Sequence, residues 1–296
     1  MAPRDLNPLP APGDLRSFAQ AAAHLLAEHP TPALGARTVK RRAGVGLQHL
    51  DHRDYVAGDE VRHIDWRLTA RLQRPIVRQF EAETSGDWFL MLDASSSMVA
   101  GGATRWHAAV MATGAMAYAL LELGHRVALV AFAGEVLAEC PPGRGTSHYP
   151  AIARMLRTLA PATRGATSNL AACARRIRGT ASGFVVSDFL GPADLRPGLA
   201  ALRERCVLLH ALLVHDPREL RLDGPDTVEL YDVETSRLAA CDPGAAATRA
   251  AGAAHAAALQ RLRRFATLSG FAFSAWDVAQ PWQRALIGHL AGARTA

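Results

Sequence analysis

At 296 residues the chain is long enough to bury a sizeable core, as one large domain or as a large domain with a smaller companion. Its composition, 49% hydrophobic and 20% charged, is that of a soluble globular protein rather than a disordered one. The formal charge of +6 is spread over scattered arginines with no basic run interleaved with aromatics, so nucleic-acid binding is not expected.

In chain order, the proline-rich residues 1–15 read as a loose leader without the apolar core of a signal peptide. A helical pattern follows over 16–28 and breaks at "PTPALG". From Arg37 to about residue 83 the text changes to short, charged segments, and "PIVRQFEAE" (75–83) alternates like a half-buried strand. This stretch is expected to form a small β-rich element. From residue 87 onward, apolar runs at 87–93, 126–132, 183–188, 206–214 and 271–276 read as strands. Helical stretches at 104–123, 147–159, 169–179, 193–204 and 245–268 separate most of them, and Gly124 and Gly270 stand where helices end. Thr146 or Ser147 is expected to cap the second of these five helices. Continuous apolar strands alternating with helices predict an α/β fold with a mostly parallel sheet covered on both faces. The domains expected are 1–36 (leader and helix), 37–83 (β-rich) and 84–296 (α/β).

The longest apolar stretch, 110–123, falls short of the roughly 20 residues needed to cross a bilayer and fits a buried helix, so a cytoplasmic protein without a membrane span is expected. Cys140, Cys173, Cys206 and Cys241 lie far apart with no C-x-x-C, which points to neither a zinc site nor a disulfide framework. "GRGTSHYPAI" (143–152) lacks the lysine arrangement of a phosphate loop. Arg175, Arg176 and Arg178 read as a solvated helix face.

Chemistry is expected where two carboxylates directly follow strands: Asp93 after "WFLML" and Asp188 after "FVVS". Side chains just past the carboxyl ends of parallel strands face the ligand crevice. Asp93, Ser95 and Ser97 form D-x-S-x-S, whose hard oxygens suit Mg²⁺ or Mn²⁺. An ordinary polar turn or helix cap has the same composition, so the motif alone leaves both readings open.

D-x-S-x-S behind a hydrophobic strand, with a buried helix and a strand ending "VAF" after it, resembles the von Willebrand factor A domain. In that family a metal-ion-dependent adhesion site takes D-x-S-x-S from one loop, a threonine from a second and an aspartate from a third. The resemblance implies Asp93, Ser95, Ser97, Thr167 and Asp188 as ligands of Mg²⁺ (or Mn²⁺), with Ser168 a rival to Thr167. Upstream, "DYVAGDEVRHIDWRLTARLQRPIVRQFEAE" (54–83) resembles the hallmark of the bacterial DUF-fifty-eight family (DUF58), met by Tyr55, Gly58, Asp59, Arg62, Ile64, Asp65, Trp66, Ala70 and Arg71. "VHDPRELRLDGPDTVELYDVET" (214–235) is similar to that family's later region. The resemblance covers about residues 37–290 and implies its short soluble subset, thought to work with MoxR-type AAA+ ATPases as adaptor or chaperone-like partners.

Two functions follow as expectations. One is a non-catalytic binding module in which a partner's carboxylate completes the metal's coordination, the partner being a MoxR-type ATPase or its client. The other is a metal-assisted hydrolase using the same site, with Ser95 or Ser97 as nucleophile or the metal activating water. Against the second, no G-x-S-x-G elbow is present and His107 lacks a residue to orient it. In the hallmark, paired charges and a packed Trp66 are expected to hold local structure, with a docking surface as the alternative.

Overall fold

The computed structural model describes residues 6–27, 49–55, 64–80, 87–162, 165–178, 181–191, 194–222, 224 and 227–292. They fall into two compact units, one made of Met1–Pro32 with Asp87–Ala296, the other of Ala33–Gly86.

In the smaller unit, β1 (His49–Asp54) pairs antiparallel with β2 (Ile76–Phe80), and α2 (Trp66–Leu72) lies between them in sequence. Asp65 caps α2, its Oδ1 accepting from the backbone N–H groups of Arg67 and Leu68, so this hallmark carboxylate satisfies two orphan donors of a helix start. The Tyr55 N–H donates to the Pro75 carbonyl, and Arg71 stands in the last turn of α2. Trp66, the first residue of α2, is 64% exposed. Gly58, Asp59 and Arg62 lie outside the described residues.

The larger unit begins with α1 (Pro12–Ala27) and continues through β3 (Asp87–Asp93), α3 (Thr104–Glu122), β4 (Arg126–Phe132), β5 (Val136–Arg144), α4 (Tyr149–Thr158), α5 (Leu170–Ala174), β6 (Ala181–Ser187), α6 (Arg196–Arg205), β7 (Cys206–His215), β8 (Val228–Tyr231), β9 (Leu238–Cys241), α7 (Ala245–Ser269), β10 (Ala272–Asp277) and α8 (Trp282–Gly292). Six strands form one sheet in the order β10-β7-β6-β3-β4-β5, parallel except for β5. Alternation along β3 divides the core. Trp88, Leu90 and Leu92 face α1, α3, α4 and α8, while Phe89 and Met91 face α5, α6 and α7. Both faces are thus covered, which is why β3 and β6 read as unbroken apolar runs. Helix α3 is buried nearly all round because it lies between the sheet and three other helices. Among the described residues no helix is long and apolar enough to cross a membrane. All four cysteines are free, and Cys206 is buried in the core as expected.

Several expectations need correction. Residues 6–11 are not loose: buried Asn7 donates from Nδ2 to the carbonyls of Leu156 and Leu159 (2.7 Å each) and accepts from Trp106 Nε1 (2.7 Å). It thereby serves carbonyls that the end of α4 leaves without intrahelical partners. Helix α4 starts without a side-chain cap from Thr146 or Ser147, which instead belong to a preceding 3-10 turn. Strand β5 was not expected because of Pro141 and Pro142. It tolerates them as an edge strand, the register skipping from Cys140 opposite Leu129 to Gly143 opposite Val127. Helix α8 and the β8–β9 hairpin were likewise not anticipated.

Candidate functional site

The chain runs from β3 out to β4 and β5 on one side, then returns to place β6 and β7 on the other. The carboxyl ends of β3 and β6 therefore flank a topological switch point, the usual ligand crevice of an open parallel sheet. Asp93 ends β3, Ser187 ends β6, and Asp188 directly follows it.

Local geometry turns the polar atoms inward. The Ser95 N–H donates to Asp93 Oδ1 at 2.9 Å, an Asx turn that folds the chain back over the strand end. A 3-10 turn, Ser96–Val99, follows, and the Ser95 side chain does not cap it; α3 in turn starts after Ala103 without a side-chain cap. The hydroxyls of this turn are therefore free of capping duty. Ser95 Oγ lies 3.0 Å from Ser97 Oγ and 3.1 Å from Ser168 Oγ. Asp93 Oδ2 accepts from Ser168 Oγ (2.5 Å) and Ser187 Oγ (2.6 Å). The second loop thus delivers Ser168, not Thr167, to the cluster; Thr167 makes no side-chain hydrogen bond to Asp93, Ser95 or Asp188. Backbone bonds hold that loop in place: Ala166 O accepts from the Ser96 N–H, and the Asn169 N–H donates to Ala133 O.

Arg105, near the start of α3, enters the same cluster. Its buried guanidinium donates to Asp188 Oδ2 (2.9 Å), Ser97 O (2.9 Å) and Ala100 O (3.0 Å), and pairs with Glu219 Oε2 (2.9 Å). Glu234, at the tip of the β8–β9 hairpin, is also buried, its Oε2 3.0 Å from where a side chain on Gly191 would begin. Ser187, Arg105, Glu219 and Glu234 were missed by sequence reasoning. Ser187 was legible as the residue before Asp188, whereas the other three come from distant segments that only the fold assembles.

The electrostatics are those of surplus negative charge out of water. Burial raises the pKa of Asp93 against hydrogen bonds from Ser168, Ser187 and Ser95. Burial, then the charge of Asp93, pushes Asp188 up to about 7, with Arg105 opposing. Glu219 and Glu234 are raised as well, each mainly by burial. His215, the last residue of β7, and His255 have ring centroids 5.1 Å apart in a tilted arrangement, and burial lowers the pKa of both.

The hydroxyl and carboxylate oxygens are of the type that suits a small hard cation. The Ser95–Ser97 and Ser95–Ser168 separations, which are those of hydroxyl–hydroxyl hydrogen bonds, also equal the distance of about 3.0 Å between neighbouring ligands of octahedral Mg²⁺. Among the described residues no three carboxylate, imidazole or thiolate groups converge as a metal centre by themselves. Any ion here would rest on hydroxyls, with Asp93 and Asp188 behind them. A groove of about 620 Å³ opens near Asp87, at the opposite end of β3 from Asp93, with Phe89, Cys140, Arg175, Arg176 and Arg178 along it. Arg176 there makes an exposed ion pair with Glu139 at 3.5 Å, in keeping with a solvated face.

The model of the family described as "Protein of unknown function DUF58" matches residues 51–262. The chain belongs to the DUF58 family. Among relatives of this DUF58 chain, the uncharacterized proteins Rv1480 of Mycobacterium tuberculosis and Mb1516 of Mycobacterium bovis are each 32% identical over 198 residues. Those matches cover 65% of this chain and 62% of either relative, so less than two thirds of their length is spanned. The conserved hypothetical protein BatB from Bacteroides thetaiotaomicron aligns at 12% identity with TM-score 0.41, over 71% of this chain and 100% of that one. An aerotolerance-related membrane protein from Bacteroides fragilis aligns at 15% identity with TM-score 0.42, over 70% and 98% respectively. Scores this low carry no argument about activity or location.

Proposed function

We propose that this DUF58 chain carries a von Willebrand factor A-like domain acting as a non-catalytic, metal-dependent protein-binding module in the cytoplasm. Ser95, Ser97 and Ser168 would hold Mg²⁺ or Mn²⁺ through their hydroxyls, Asp93 and Asp188 would balance its charge, and an acidic side chain of the partner would complete the coordination. The partner proposed, by resemblance, is a MoxR-type AAA+ ATPase or its client. The observation that carries the reading is the hydroxyl spacing at the β3–β6 switch point, with serines that cap no helix. A binding role is favoured over hydrolysis because Ser95, Ser97 and Ser168 bond one another or Asp93, and no histidine among the described residues accepts from them. The cation supplies a positive centre for a carboxylate; the chain's own residues position it and exclude bulk water.

The test is capture of a MoxR-type ATPase by the full chain in Mg²⁺ and in EDTA, with Asp93→Ala alongside. Capture that needs Mg²⁺ and is lost in the variant is expected. Capture indifferent to both would refute a metal-bridged contact.

A further inference from the structure

Strands β8 and β9 form a two-stranded hairpin outside the main sheet, joined through Asp232–Arg237. Its surface is mostly solvent-facing: Leu230, Tyr231 and Leu238 are exposed, and Glu234 is the one buried residue of the described stretch 227–242. A hairpin anchored by its carboxylate, with its apolar residues outside, inverts the usual order of burial. The tip is nonetheless built with care. Asp232 Oδ1 accepts from the N–H groups of Glu234 and Thr235, and Asp232 Oδ2 from Thr235 Oγ1 at 2.6 Å. Val233 O accepts from the Gly165 N–H at 2.8 Å and lies 3.3 Å from Ser96 Oγ, tying the tip to the first and second site loops.

This geometry aims Glu234 into the hydroxyl cluster. The residue is 7% exposed, and both of its carboxylate oxygens are buried without a hydrogen bond of good geometry among the described residues, the Ser97 hydroxyl standing close enough to oppose the effect of burial on its pKa. Gly191, three residues past Asp188, leaves the room: a Cβ there would stand 3.0 Å from Glu234 Oε2. A buried carboxylate without a well-placed donor is costly; it is relieved by taking a proton, toward which burial already pushes Glu234, or by a counter-charge beside it. Arg105 is committed to Asp188, Glu219 and two carbonyls.

We propose that Glu234 is a ligand, donated by the chain itself, of the cation held at Ser95, Ser97 and Ser168, and that the cation fastens the 228–241 hairpin over the site. The proposal rests on the metal reading above. It adds that the isolated protein supplies its own acidic ligand, so a partner's carboxylate reaches the cation only where Glu234 leaves it. Glu219 is not the equivalent group, since Arg105 already holds it and it remains partly exposed.

The test uses the full chain with Mn²⁺ as the affinity probe and Mg²⁺ for amide exchange, comparing wild type, Glu234→Gln and Asp93→Ala. Wild type should bind Mn²⁺, Asp93→Ala should lose that binding, and Glu234→Gln should weaken it by at least about tenfold. Mg²⁺ should slow exchange of peptides within 228–241 in wild type and leave them unchanged in Glu234→Gln. Equal Mn²⁺ affinity in wild type and Glu234→Gln, with Asp93→Ala still deficient, would overturn the role of Glu234 and leave the metal reading standing. Hairpin exchange insensitive to Mg²⁺ in wild type would do the same, and it needs no variant to fold. No Mn²⁺ binding by wild type would remove both.

Discussion

Replacing Arg105 by Met tests the electrostatic account of the cluster most directly. The side chain is 4% exposed, so its partners cannot simply turn to water. Asp188 is fully buried, and losing one member of a buried ion pair costs about 3–5 kcal/mol. The carbonyls of Ser97 and Ala100 lose their donor as well, on the order of 1 kcal/mol each. Glu219 adds little, being partly exposed and able to regain water. The expected loss is therefore about 5–7 kcal/mol at pH 8, where Asp188 is mostly ionised. Asp188 can relieve its part by taking a proton: burial and Asp93 already push it up to about 7, and the variant lacks the guanidinium that opposes them. At pH 5.5 the carboxyl is neutral and the loss should shrink to about 2–3 kcal/mol, the share of the carbonyls and packing. The assay is urea denaturation in EDTA at both pH values, followed by tryptophan fluorescence. A loss below about 1 kcal/mol at pH 8, or an equal loss at both pH values, would refute the reasoning.

Without metal, wild-type stability should fall as pH rises from about 4 through 7, because Asp188 binds its proton more tightly folded than unfolded. Its contribution is fully present below the unfolded pKa and lost as pH passes the folded one; saturating Mg²⁺ should flatten this slope in thermal melts at pH 5 and pH 8. Asn7→Ala should cost about 2–4 kcal/mol in denaturant melts, since the α4 carbonyls and the Trp106 indole N–H lose their partner together. An effect under about 0.5 kcal/mol would mean that water replaces the amide. Gly198→Ala should cost about 1–3 kcal/mol, because the new methyl would stand 2.7 Å from Leu170 Cβ where α6 crosses α5; an unchanged midpoint would show that the helices separate freely.

The sheet's strands and most of its helices were legible because both faces are covered. Burial on two sides forces unbroken apolar runs, and β3, β4 and β7 end within a residue of where such a run stops. The same logic fails where burial is partial. Strand β5 lies at an edge and accommodates two prolines, while β8 and β9, four residues each, are largely exposed and too short to stand out. Helix α5 ends at Ala174, well before its helical pattern does.

The site divides in the same way. Asp93, Ser95, Ser97 and Asp188 could be named from the chain alone, since a polar residue directly after a buried strand lies at the sheet's carboxyl edge by geometry. That Ser168 rather than Thr167 bonds Asp93 and Ser95 depends on the backbone bonds that orient the second loop, which spacing along the chain does not reveal. Arg105, Glu219 and Glu234 carry no local signal: each looks like a surface charge in sequence, and Arg105 and Glu234 become buried, with Glu219 half-buried, only when α3, the segment after β7 and the hairpin tip meet over β3 and β6. Sequence alone determined the alternation of strands and helices and where Asp93 and Asp188 stand on the sheet, because both follow from short-range periodicity. Tertiary structure alone decided which charges lose their water together, because desolvation belongs to the assembled surroundings and not to any segment.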